Sequence, residues 1–150
     1  MQRLVLLDSQ LLILALDATG QDAEKITQAK AKLINLLQDD RVKLCITPLI
    51  RYEVMRGLKN RDNSHISAVL SSFMMFDIKE NIGKLAADLF HHSKMISPKE
   101  PLVDKRSFDV FHFVSAQCYE LDLETWDKDF NKIERVYQSW KNYSTTKKLN

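Results

Sequence analysis

Five acidic residues have the side chains that a metal-dependent reaction on phosphate would use: Asp8, Glu53, Asp109, Asp127 and Asp129. Two carboxylates about 4 Å apart repel by roughly 4 kcal/mol at an intermediate dielectric. A cluster of acids therefore takes up protons, recruits Arg or Lys, or binds a hard cation. Magnesium or manganese suits an all-oxygen site, and such an ion with open positions for water and phosphate oxygens supports phosphodiester hydrolysis.

The first two elements of the chain indicate how acids could be brought to one place. Leu4–Leu7 is an unbroken apolar run that ends at Asp8, which is typical of a parallel strand buried on both faces. Lys43–Thr47 reads as a second strand. Thr47 then caps a helix that has Pro48 in its first turn and carries Glu53. In open parallel sheets, ligands bind beyond the carboxyl ends of the strands.

The rest of the chain continues the alternation of strands and helices. This alternation predicts an α/β fold, a three-layer α/β/α sandwich around a mainly parallel sheet. A capping box of Asp77 and Glu80 opens one of the later helices. The further elements are helices at Ser9–Ala18, Ala23–Gln38, Ser64–Ser71, Lys79–Lys94 and Phe108–Leu121, strands at Phe73–Ile78 and Leu121–Thr125, and an edge strand at Ile133–Tyr137.

The predicted topology places the acids on one rim of the sheet. Asp8 ends the first strand, and Glu53 lies on the helix that leaves the second. Asp127 and Asp129 follow the last main strand. Asp109, in the first turn of the last long helix, joins them if that helix starts at the same edge. All carboxyl ends of parallel strands share one edge, so separate segments would deliver their acids to one pocket.

Size and composition exclude several other classes of protein. The 150 residues predict one domain over 1–140, with a polar, disordered tail over 141–150. No apolar run approaches the ~20 residues that span a bilayer, and Asp8 interrupts any signal-like start, so we expect a cytoplasmic protein. The isolated glycines exclude glycine-rich phosphate loops. Cys45 and Cys118 have no metal-ligand spacing, so we expect free thiols.

Four segments, in order, resemble the motifs of the PIN-domain nucleases, especially VapC-type toxins. Leu6–Ser9 resembles the family's opening motif with its first acid. Thr47–Gly57 is similar to the family helix, with Glu53 at its acidic position. Ser107–Asp109 resembles the third acidic position, and Leu123–Phe130 resembles the closing motif.

This resemblance implies a metal-dependent endoribonuclease with a preference for single strands. It implies Mg²⁺ or Mn²⁺ at the five acids, a homodimer, and a small antitoxin that inserts a segment near the site. Two positions depart from the family pattern. Gln10 stands where Asn is usual, and Leu121 with Asp122 occupies a turn that usually holds glycine.

Each candidate residue also has a structural interpretation. Asp8 could cap a helix. Glu53 could pair with Arg56 on the helix surface. Asp109 could lie in the first turn of its helix because the helix dipole stabilises a negative charge there. Asp127 and Asp129 could be turn residues. Asp104 competes with Asp109 as the third acid. Thr125 could orient a ligand or water, or cap its strand, and a basic group near Glu53 could steer RNA. That group consists of Arg51, Arg56, Lys59 and Arg61.

Two other functions stay open from the residues alone. One is a catalytically inactive domain of the same fold that binds protein or RNA, for which the Gln10 departure leaves room. The other is a receiver-like or nucleotide-binding α/β domain. The missing glycine loop argues against nucleotide binding.

Overall fold

The structure is a computed structural model, and it describes residues 1–17, 20–59, 63–102 and 106–149. Its internal contacts divide the chain into two compact units. The first unit comprises Met1–Asp77 and Tyr119–Trp126, and the second comprises Ile78–Cys118 and Asp127–Asn150.

The first unit contains a four-stranded parallel sheet in the order β3-β2-β1-β4. The predicted α/β fold with a mainly parallel sheet is therefore confirmed. Helix α1 packs on α2 and α3 within this unit, and α2 also packs on β2. The elements are β1 (Arg3–Leu7), α1 (Ser9–Leu16), α2 (Ala23–Gln38), β2 (Val42–Ile46), α3 (Pro48–Gly57), α4 (Ser64–Ser72), β3 (Met74–Met75) and β4 (Asp122–Glu124).

Strand β1 is the centre of this sheet. It pairs with β2 on one side, where Leu6 lies opposite Cys45, and with β4 on the other, where Leu6 lies opposite Leu123. Val5, Leu6 and Leu7 are each at most 1% exposed. Successive side chains of a strand point to opposite faces, so both faces of β1 are covered, as its continuous apolar run predicts.

The second unit is helical over the residues that the structure describes. Helices α5 (Glu80–Ile96), α6 (Ser107–Cys118) and α7 (Phe130–Lys148) pack on one another in pairs. In the described ranges, every helix is too short or too polar to span a lipid bilayer.

Helix α7 overturns two expectations. The predicted edge strand at Ile133–Tyr137 and the predicted disorder from Lys141 onward are both wrong, because one helix runs from Phe130 to Lys148. Its buried residues recur with helical spacing, at Phe130, Ile133 and Val136. The part of α7 that follows Tyr137 contacts helix α5, since Ser139 Oγ lies 2.9 Å from a ring nitrogen of the buried His92.

The predicted capping box before α5 is also wrong. The helix begins at Glu80 with Lys79 at its N-cap position, and no side chain caps it. Asp77 instead lies in an extended connection, where its carbonyl oxygen accepts a 2.6 Å hydrogen bond from the Tyr119 hydroxyl. The ring of Phe76 packs beside the ring of Tyr119 at a centroid distance of 4.7 Å. These contacts with Tyr119 explain why the helix starts later than the sequence pattern suggests.

The turn between α6 and β4 contains a residue in a backbone conformation that favours glycine, close to the place where the family pattern usually has one. Glu120 has a φ of 55°, the only positive φ of a non-glycine residue in the described ranges. It lies two residues after the end of α6, where helices commonly finish with a glycine in this left-handed conformation. A residue with a Cβ is strained there by roughly 1–2 kcal/mol.

We expect Glu120→Gly to raise the free energy of unfolding by about 1 kcal/mol, because glycine removes the Cβ strain. Glu120→Ala keeps a Cβ and is the matched control, for which we expect no gain. Urea denaturation followed by circular dichroism measures both variants. Equal stability changes in the two variants would contradict strain at this turn.

Candidate functional site

In the first unit, the carboxyl ends of β1 and β4 lie side by side. The chain passes from β1 to β2 and β3 on one side and places β4 on the other. Strand order therefore reverses between β1 and β4, and such a point is where open α/β sheets bind ligands. Asp8 directly follows β1, and Thr125 directly follows β4.

Asp8 is held at the end of β1 by hydrogen bonds to Glu124 and Thr125. Its backbone N–H donates to the carbonyl oxygen of Glu124 at 3.1 Å. Its carboxylate Oδ2 accepts a hydrogen bond from Thr125 Oγ1 at 3.0 Å. Asp8 is 4% exposed, and its side chain makes no capping hydrogen bond to α1. Asp8 therefore occupies the N-cap position of α1, as its structural interpretation predicted, but its side chain is bonded to Thr125 and makes no capping hydrogen bond.

Glu53 lies on α3, which leaves the neighbouring strand β2. The predicted N-cap is confirmed, because the Thr47 hydroxyl accepts a hydrogen bond from the Ile50 N–H at 3.2 Å and Pro48 is the first helical residue. Ile50 and Val54 are fully buried. Glu53 is half-buried, as predicted from its place next to this buried face.

Three of the predicted acids meet at one arginine in the second unit. Arg106 Nη1 lies 3.4 Å from Asp109 Oδ2 and 3.3 Å from Asp127 Oδ2. Arg106 Nη2 forms a salt bridge with Asp129 Oδ2. The side chains of Asp109 and Asp127 are 20% and 28% exposed, so both ion pairs are partly withdrawn from water.

Asp127 is a turn residue, as its structural interpretation predicted, and it also pairs with Arg106. One carboxylate oxygen accepts a 2.9 Å hydrogen bond from the Asp129 N–H, and its carbonyl oxygen accepts one from the Phe130 N–H at 3.3 Å. These bonds shape the turn that opens α7. The other carboxylate oxygen contacts Arg106. Asp129 stands at the N-cap position of α7 without a capping hydrogen bond.

The environment of Arg106 keeps its guanidinium charged. Partial burial acts to lower its pKa, but the hydrogen bond to Asp109 and the charges of Asp129, Asp127 and Asp109 outweigh burial and raise the pKa above its ordinary value. Sequence reasoning missed Arg106. A signal was present, because Arg106 precedes Asp109 by three residues at the start of a helix, a spacing that brings side chains together.

The second unit supplies carboxylate oxygens of the kind that Mg²⁺ and Mn²⁺ prefer. Asp109, Asp127 and Asp129 converge on the positive charge of Arg106. In the arrangement that the structure describes, however, no group of three His, Cys, Asp or Glu side chains could hold a metal ion in the described ranges.

Other predicted residues contribute less to such a site. Arg51 donates a 2.7 Å hydrogen bond to Ser67 Oγ and so ties α3 to α4. Arg56 lies over the Tyr52 ring, 5.2 Å from its centroid. Asp104 and Arg61 lie outside the described residues.

The two cysteines do not add a nucleophile. Both are free thiols, as predicted, and burial raises the pKa of Cys45 and of Cys118. A raised pKa keeps a thiol protonated at neutral pH, and the protonated form is a poor nucleophile.

Comparison with known proteins agrees with the observed fold. The sequence profile of the PIN domain family matches residues 5–136. A chain of the crystal structure of VapBC2 from Rickettsia felis, bound to a DNA fragment from their promoter, is similar in fold, with a TM-score of 0.62 and 14% sequence identity. The similarity covers 87% of this chain and 92% of that chain. No curated protein sequence matches.

We expect Thr125→Val to lower the free energy of unfolding by about 1–3 kcal/mol, because it leaves the buried Asp8 carboxylate without its hydroxyl donor. Thr145→Val is the matched control. The Thr145 hydroxyl donates to the Lys141 carbonyl on the exposed surface of α7, so its loss should change stability by less than about 0.5 kcal/mol. Chemical denaturation measures both, and an equal loss in the two variants would exclude the proposed support of Asp8.

Proposed function

Since the chain belongs to the PIN domain family, we propose that it is a metal-dependent endoribonuclease, the toxin of a VapC-type toxin–antitoxin pair. The observation that carries this proposal is the state of Asp8. A buried carboxylate at the point where the strand order of a parallel sheet reverses, oriented by the hydroxyl of Thr125, is costly to maintain without a function.

In this proposal, the catalytic acids are Asp8, Glu53, Asp109 and Asp127, and Asp129 is a fifth possible ligand. They would hold Mg²⁺ or Mn²⁺ through carboxylate oxygens. When bound, the ion lowers the pKa of a water molecule and neutralises charge on the phosphate that is attacked. Attack by water in line with the leaving oxygen leaves a 5′-phosphate and a 3′-hydroxyl.

The residues of the chain itself would prepare this chemistry. Thr125 donates to one oxygen of Asp8, which orients the carboxylate. The turn at Asp127 fixes that side chain similarly, because the Asp129 N–H holds one oxygen. Preorganised acids of this kind lower the cost of ordering the site during reaction. The proposed mechanism uses no protein nucleophile.

The proposed partners follow from the same family. The structural neighbour from Rickettsia felis is a VapBC2 complex with promoter DNA. We infer that this chain likewise binds a small antitoxin, takes RNA as substrate, forms a homodimer and acts in the cytoplasm. A short reading frame directly upstream, whose product co-purifies with this chain, would support the partner.

A second candidate is a PIN-like domain without catalytic activity that binds protein or RNA. The specific observation in its favour is Arg106, which already neutralises three of the proposed metal ligands. The two candidates differ in whether a divalent ion binds and whether RNA is cut.

We expect Asp8→Asn and Asp127→Asn each to reduce RNA cleavage by about 100-fold or more, because each change removes a charge that the reaction depends on. Mapping of product ends on total RNA after brief induction measures cleavage and should show 5′-phosphates. Asp88→Asn is the matched control, since Asp88 is an exposed residue of α5, and it should cleave as the parent does.

Chelation of divalent ions should also stop cleavage, and added Mn²⁺ should restore it. Unimpaired cleavage by Asp8→Asn and Asp127→Asn would sink the proposed site. A parent protein that cuts no RNA, with its antitoxin removed and Mn²⁺ present, would favour the inactive binding domain.

A further inference from the structure

Helices α5 and α7 of the second unit line a groove whose described lining includes none of the proposed catalytic acids. The groove has a volume of about 360 Å³, which lies in the range of small-ligand sites. Trp140 and Tyr143 of α7 and His92 of α5 contribute rings to it. The other described residues that line it are Asp88, His91, Met95, Ser144 and Lys147.

The aromatic residues of α7 recur at intervals of three residues. The rings of Tyr137 and Trp140 are stacked, with their centroids 6.2 Å apart and their planes 18° from parallel. Tyr143 lies 5.5 Å from the His92 ring, between centroids, and is 45% exposed. Aromatic surface therefore remains in contact with water at the groove, and proteins use such surface to stack the bases of single-stranded nucleic acids.

Positive charge accompanies these rings. Lys141 Nζ lies 5.5 Å from the centroid of the Tyr137 ring, and Lys147 Nζ lies 5.9 Å from that of Tyr143. From Arg135 to Lys148 the chain carries four basic residues and no acidic one. This charge is complementary to a polyanion. A cation next to a ring suits a nucleotide in particular, because a nucleotide joins a phosphate to a base.

The buried imidazole of His92 favours a ligand with polar edges. His92 is 5% exposed, and its Nε2 lies 2.9 Å from Ser139 Oγ. Its other ring nitrogen, Nδ1, has no hydrogen-bond partner within the described ranges. A buried polar atom is costly beside an aliphatic ligand. The edge of a nucleobase, by contrast, carries both donors and acceptors.

The apolar face of α7 argues against a membrane as the partner. Phe130, Ile133 and Val136 on that face are buried. A helix that lies on a lipid bilayer inserts its apolar face into the lipid, so that face has to be free. A nucleic-acid duplex is also disfavoured, because its bases are stacked on one another and are not splayed out to reach aromatic side chains.

We propose that the groove between α5 and α7 binds single-stranded RNA, with a base stacked on Trp140 or Tyr143 and a phosphate at Lys147. The choice of RNA over single-stranded DNA rests on the proposed function. This surface is separate in its residues from the proposed catalytic acids. It makes the second half of α7 an RNA-binding element in addition to a packing element.

The test is fluorescence anisotropy of a labelled single-stranded RNA of about ten nucleotides, titrated with the full-length protein in EDTA to prevent cleavage. We expect Trp140→Ala to weaken binding on the order of tenfold, as the loss of one base–aromatic stack would give. Trp140→Phe keeps a ring and should bind within about threefold of the parent. Tyr143→Ala, at a more exposed position, should weaken binding roughly fivefold and covers the case in which Trp140→Ala does not fold.

The salt dependence of binding tests the phosphate contact. We expect Lys147→Gln to reduce the slope of log affinity against log salt concentration by about 0.7, the value for one phosphate on a single strand. Lys84→Gln is the matched control. Lys84 is an exposed residue of α5 whose Nζ lies 3.2 Å from a carboxylate oxygen of Glu80, and its loss should leave the slope unchanged.

Three outcomes overturn the inference. The first is unchanged RNA binding in Trp140→Ala and Tyr143→Ala, and the second is a duplex of the same length that binds as tightly as the single strand. The third is affinity for vesicles of anionic phospholipid without affinity for RNA, which would assign the surface to a membrane. A parent that nevertheless cuts RNA with Mn²⁺ present retains the proposed function. Conversely, a parent that binds the single strand through these residues but cuts no RNA retains the groove and loses the nuclease.

Discussion

The pairing of β1 with two parallel neighbours is the constraint on which the first unit depends. β1 takes hydrogen bonds from β2 on one side and β4 on the other, and its apolar residues are covered on both faces. That burial leaves no freedom for the strand to slip, because a shift by one residue would exchange its two faces. The end of β1 is therefore fixed beside the end of β4, and Asp8 meets Thr125 there.

The chain stabilises its withdrawn acids in two different ways. Asp8 is nearly inaccessible and accepts a hydrogen bond from a neutral hydroxyl. Asp109, Asp127 and Asp129 are more exposed and share a full positive charge. The first arrangement uses a neutral donor, whereas the second places one positive charge among three acids.

Local patterns predicted most elements because each pattern carries its own physical signature. The unbroken apolar run predicted β1, the spacing of Ala29, Leu33 and Leu36 predicted α2, and Thr47 with Pro48 predicted the start of α3. The errors came where a distant contact decided. The carbonyl oxygen of Asp77 contacts Tyr119, and the Asp77 side chain does not cap α5. Helix α7 extends to Lys148, and its residue Ser139 contacts His92. A short apolar segment such as Ile133–Tyr137 suits a strand or a helix until its neighbours are known.

The sequence by itself determined which acids are present, the order in which they follow the strands, and the α/β alternation that carries them. Those properties depend on residues close together in the chain. Only the tertiary structure decided which side chains contact Asp8 and Asp127, because the partners lie far apart in the chain. Thr125 is 117 positions from Asp8, and Arg106 is 21 positions from Asp127. Contacts over such intervals depend on strand order and helix packing, and no local pattern of residue types encodes them.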